Sequence, residues 1–69
     1  MLDNVRMIEI GSLVRVLYPD YAEGRVGIVE ARESTGRWLI RLDPWEHDRD
    51  PLILSLEERD FEVIRSPLP

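Results

Sequence analysis

Alternation of apolar and polar residues marks three short strands in the first two-thirds of the chain. Over residues 13–18, Val14, Val16 and Tyr18 share one face and Leu13, Arg15 and Leu17 the other, the period of two that a half-buried strand requires. Gly11-Ser12 places a turn ahead of this strand, and Pro19, with no amide to donate, ends its ladder. A polar loop through Asp20, Glu23 and Gly24 leads into a second strand, Arg25 to Arg32. Gly27 lies inside that strand, where glycine marks a bulge, a bend or the close approach of another backbone. Glu33-Ser34-Thr35-Gly36 is a hairpin connection with glycine at a positive-φ position. The third strand is Arg37 to Leu42, with Trp38, Ile40 and Leu42 on one face and Leu39 and Arg41 on the other.

The pattern breaks from Asp43 to Pro51, a loop bracketed by prolines with four acids in nine residues. Leu52 to Leu56 is an apolar run of strand length. Glu57 to Asp60 reads as one turn of 3₁₀ helix, with Ser55 as its cap. Phe61, Val63 and Ile64 form a last strand, and Ser66 to Pro69 is a tail. Residues 1–10 are expected to be an N-terminal arm, with Val5, Met7 and Ile10 extending the first strand or lying over the open end of the domain. The expected fold is all-β: a small five-stranded SH3-like barrel over residues 11–65, with a one-turn 3₁₀ helix before the last strand. The competing reading, a helix from Leu54 to Val63 packed on a three-stranded meander, fits helical period poorly.

Length and composition agree with one small domain. The 69 residues contain no cysteine, so neither a disulfide nor a thiolate metal site is available, and a compact core or a bound partner must stabilise the chain. The hydrophobic fraction of 43% is that of a globular chain. No apolar run approaches the roughly 20 residues of a bilayer span. The amino end lacks a basic region followed by an apolar segment, so a soluble, cytoplasmic location is expected. Fourteen acidic residues against nine basic ones leave a net charge of −5, which disfavours nucleic acid unless the basic groups gather on one face. All nine basic residues are arginine, the side chain suited to fixed carboxylate pairs and to stacking on aromatic rings.

The segment from Gly11 to Val29 resembles the KOW pattern: a glycine before alternating apolar residues, a short loop, then Gly24 and Gly27 framing Arg25, Val26, Ile28 and Val29. That resemblance implies contact with RNA, a ribosome or a polymerase. The same stretch also resembles the PsaE family of small SH3-like photosystem I subunits. The matching positions are Gly11-Ser12, Val14, Val16, Leu17, Pro19, Tyr21 and Val26-Gly27-Ile28-Val29, with Phe61 and Glu62-Val63 at the closing strand. This second resemblance implies an accessory subunit docked on a larger complex, such as one in photosynthetic electron transfer. About half the chain is covered, chiefly at positions that make the fold.

Candidate chemistry is sparse. Tyr18-Pro19-Asp20-Tyr21 resembles the Leu-Tyr-Asp-Tyr element of eukaryotic SH3 domains, whose tyrosines line a groove for polyproline II peptides, and Trp38 follows Gly36 as the groove tryptophan does. The alternative is that these aromatics cap the core, with Tyr21 folded back over it. Trp45, in a charged loop, is either a binding hot spot or a lid over Trp38. His47 stands among Glu46, Asp48 and Asp50, but one histidine without cysteine makes no zinc set, and calcium-loop spacing is missing. No nucleophile accompanies it, so no enzyme and no cofactor are expected. Arg15, Arg25, Arg37 and Arg41 either serve an acidic partner or nucleic acid, or pair with Glu30, Glu33 and Asp43. The expected partner-binding set is Tyr18, Tyr21, Trp38, Arg41, Trp45, His47 and Arg49, serving a non-enzymatic protein-interaction module. A KOW-like RNA- or ribosome-binding domain is the alternative.

Overall fold

The computed structural model describes residues 8–43 and 52–67. Five strands make one antiparallel sheet: β1 (Leu13–Val16), β2 (Val26–Arg32), β3 (Trp38–Leu42), β4 (Ile53–Leu56) and β5 (Phe61–Arg65), in the spatial order β4-β3-β2-β1-β5. One 3₁₀ turn, Asp20–Ala22, lies between β1 and β2, and a second, Glu58–Asp60, immediately precedes β5. This is the all-β, five-stranded domain read from the alternation, with its 3₁₀ turn ahead of the last strand. The competing helix over Leu54 to Val63 is replaced by β4, the 3₁₀ turn and β5. No helix among the described residues is long and apolar enough to cross a membrane.

The sheet must curl. β4 and β5 are its two edges, yet only Glu57 to Asp60 join them. Four residues containing a 3₁₀ turn, at about 2 Å rise per residue, reach roughly 10 Å, whereas the edges of a flat five-stranded sheet stand about 19 Å apart. The inner face so formed holds one cluster of Val14, Val16, Ala22, Val29, Trp38, Ile40, Leu42, Leu54, Leu56 and Phe61, with Ile8 and Val63 packed against it. Two bulges sharpen the curvature. One is at Glu30 in β2, between the Val29–Ile40 and Ala31–Leu39 pairs, and the other is at Ile64 in β5, where Leu13 faces Arg65 and Val14 faces Val63.

Gly27 lies three residues from the β2 bulge and has a different role. A Cβ built on it would stand 2.7 Å from the Arg41 carbonyl oxygen, 2.9 Å from Ile40 Cγ2 and 3.1 Å from Leu42 Cδ2. Of the three readings open for a glycine in this strand, close approach of a neighbouring backbone is the one that applies.

Ser12 is fully buried, and its hydroxyl accepts a hydrogen bond from the Glu9 amide while its own amide donates to the Glu9 carbonyl. The resulting turn over Glu9–Ser12 accompanies the packing of Ile8 on the core but leaves Ile10 exposed, so Ile10 neither extends β1 nor covers the domain, and Val5 and Met7 lie outside the described residues. Ser55 is not a helix cap; it is a β4 residue. The cap of the second 3₁₀ turn is Glu57, whose side chain accepts from the Asp60 amide while the Asp60 carboxylate accepts from the Glu57 amide. Glu57 takes the position because a glutamate reaches the amide three residues on from extended backbone, φ −87° and ψ 163°.

Candidate interaction surface

The connection from β1 to β2 leaves the sheet earlier than the alternation predicts. β1 stops at Val16, because the amides of both Leu17 and Tyr18 turn to the Asp60 carbonyl, at 2.8 and 3.2 Å. The Tyr18–Pro19 peptide is cis. The Ala22 amide then donates to the Pro19 carbonyl, and the Arg25 amide to the Ala22 carbonyl. Glu23 at φ −57°, ψ 132° followed by Gly24 at φ 87° gives this second step the geometry of a type II turn, which asks for glycine at its third position.

The neck of the loop is closed by two hydrogen bonds, Val16 amide to Arg25 carbonyl and Gly24 amide to Val16 carbonyl, both 2.8 Å. Its tip is held by Ala22, which is fully buried in the core cluster. A loop fixed at neck and tip leaves its larger side chains outside. Leu17 is 44% exposed, Tyr18 61% and Tyr21 69%.

Several expectations change here. Tyr18 does not continue the buried face of Val14 and Val16, since the strand has ended before it. Tyr21 does not fold back over the core; its neighbour Ala22 does, because a methyl group fits where a phenol ring would have to be desolvated and given a hydroxyl partner. Trp38 lies in the core at 6% exposure, with the Arg32 guanidinium over its ring at 4.8 Å from the centroid. Its indole Nε1 has no hydrogen-bond partner among the described residues. It therefore contributes packing to the sheet and almost no outer surface. Trp45, His47 and Arg49 lie outside the described residues.

The arginines are mostly engaged within the domain. Arg15 pairs with Glu62 at 2.9 Å across β1 and β5, and Arg41 with Glu30 at 2.8 Å across β3 and the β2 bulge. Arg25 donates to the Asp43 carbonyl. Arg37 bonds Ser55 and Glu57, and Arg59 also reaches Glu57 at 3.2 Å. Most of these paired side chains are about half exposed and Arg59 is largely so, and each pair is therefore worth at most on the order of 0.5 kcal/mol and fixes geometry more than stability.

The alternation did not point to Leu17, although Pro19 two residues on is a sign that the ladder is ending. Nor did it single out Leu52 and Ile53, 40% and 48% exposed at the start of the β4 edge. Fold and surface together define a curled five-stranded all-β domain that displays an anchored aromatic loop. No protein-family model, curated protein or solved structure matches this chain.

Proposed function

We propose that this protein is a non-enzymatic interaction module of the SH3-like type, an accessory subunit that docks on a larger protein complex through the loop between β1 and β2. The observation that carries the reading is the exposure of Leu17, Tyr18 and Tyr21 on a backbone fixed at both neck and tip. Tyrosine is enriched among binding hot spots, and side chains on a preorganised loop give up less entropy on binding. Asp20 and Glu23, both exposed, flank the tyrosines and make no ion pair among the described residues. The surface they border suits a partner with basic groups, and capture should weaken as salt rises.

Binding to RNA is the weaker reading. Arg15, Arg37, Arg41 and Arg59 already pair with carboxylates, and phosphate contacts would have to displace those partners in a chain of net charge −5.

The test is quantitative capture from the native cell with the wild type and a Y18S/Y21S double variant as baits. Two hot-spot tyrosines at about 1–2 kcal/mol each predict at least a tenfold loss of the captured protein, with the circular dichroism of the bait unchanged. Equal recovery by the two baits overturns the assignment of this loop, and recovery of RNA in place of protein supports the alternative.

A further inference from the structure

The free edge of β4 is occupied by an arginine. The Leu42 amide donates to the Leu52 carbonyl at 2.9 Å, and the register continues as Arg41–Ile53, Ile40–Leu54, Leu39–Ser55 and Trp38–Leu56. In an antiparallel pair the hydrogen-bonded positions alternate. Leu52, Leu54 and Leu56 therefore spend their peptide groups on β3, while Ile53 and Ser55 turn theirs outward, because β4 ends the sheet.

Arg37 reaches across to those outward groups. Its Nη2 donates to the Ser55 carbonyl at 2.8 Å, its Nε to Ser55 Oγ at 3.0 Å and its Nη1 to Glu57 Oε2 at 3.1 Å. Ser55 Oγ in turn donates to Glu33 Oε1. One guanidinium is thus held by β4, by the capping glutamate after it and, through Ser55, by the β2–β3 hairpin.

Without that group the edge is self-complementary. A two-fold axis at Leu54 would set Ile53 opposite Ser55 of a second copy, and the two pairs would exchange four backbone hydrogen bonds. Leu52 and Ile53, both exposed, would lose water contact in the same step. Edges of this kind invite pairing unless a charge or a proline blocks them. Lysine commonly does this, and the chain has none.

We propose that Arg37 is an edge guard: its guanidinium fills the outer hydrogen-bonding position of β4 and keeps this strand from pairing with β4 of a second copy. The surface is separate from the aromatic loop, and the proposal does not depend on the docking function.

Sedimentation velocity on the full chain from micromolar to millimolar concentration tests it. The wild type is expected to stay monomeric at this edge, and R37A to shift toward twice the mass as concentration rises. R37A/I53P should return to monomer. Ile53 opens the strand and its amide faces outward, so proline there removes no bond to β3. A folded R37A that stays monomeric overturns the proposal. So does association of R37A that I53P does not relieve, or a wild-type dimer that I53P dissociates. An R37M variant run alongside keeps the aliphatic stem and removes the guanidinium that bonds the Ser55 carbonyl. Should R37A lose its circular dichroism, association of a folded R37M supports the guard and a monomer overturns it.

Discussion

A Gly27→Ala variant is expected to lose about 2–3 kcal/mol of stability, enough to move the urea midpoint down by roughly 2–3 M at a slope near 1 kcal/mol/M. The cause is contact rather than conformation. The added methyl would sit 2.7 Å from a backbone oxygen of β3, and that oxygen belongs to Arg41, in the middle of a strand paired on both sides. A side-chain tip could swing aside, whereas this atom can retreat only if β2 and β3 separate. Gly27 also faces Val14 of β1, so displacement in the other direction disturbs the second ladder. A Gly24→Ala change offers a contrast, because nothing lies within 4 Å of its Cβ position. Only the cost of φ 87° applies there, about 1 kcal/mol. Urea unfolding of the two variants separates the mechanisms, and a Gly27→Ala protein as stable as the wild type would contradict the close approach.

Ile40→Ala is expected to be among the most damaging single truncations, at about 3–4 kcal/mol. Ile40 is fully buried and stands between Val29 and Leu54 in the register, at the point where β2, β3 and β4 meet on the inner face. Rigid strands on both sides limit collapse into the vacated volume, which places the cost in the upper part of the range for such changes. A chain of this size has about 5 kcal/mol in hand, so the variant should be near its unfolding midpoint at moderate temperature. Ile53→Ala is the control. Its side chain is 48% exposed on the edge strand, and the loss should stay within about 0.5 kcal/mol. Similar losses for the two isoleucines would mean that the core is not where the burial pattern places it.

The inner face was legible in the sequence because it follows strict alternation. Val14 and Val16, and Trp38, Ile40 and Leu42, each alternate onto one face, and each is buried. What alternation could not supply was where backbone groups find partners once they leave the ladder. β1 ends two residues before the pattern does because the Asp60 carbonyl, 42 or more residues away in the chain, takes the amides of Leu17 and Tyr18. The 3₁₀ turn at Asp20–Ala22 carries no amphipathic signal in three residues, and its buried alanine looks like any loop alanine until the core is closed around it. The same limit affects the arginines. Their type suggested fixed pairs, but the choice among carboxylates depends on register and on the bulge at Glu30. Glu30 does take Arg41, while Glu33 is reached only through Ser55 and Asp43 offers its carbonyl to Arg25. Of the candidate contact residues, Tyr18 and Tyr21 are on the surface, Arg41 is spent on Glu30 and Trp38 is interior.

The proposed docking surface is the β1–β2 loop, with the sheet only carrying it. Amide hydrogen exchange on the protein, alone and in complex with the partner recovered by capture, reads this residue by residue. Added protection is predicted over residues 17–24 and at Glu58–Asp60, whose Asp60 carbonyl holds the loop. Protection confined to the β3–β4 face, with the amides of Leu17 to Gly24 exchanging as in the free protein, would contradict it.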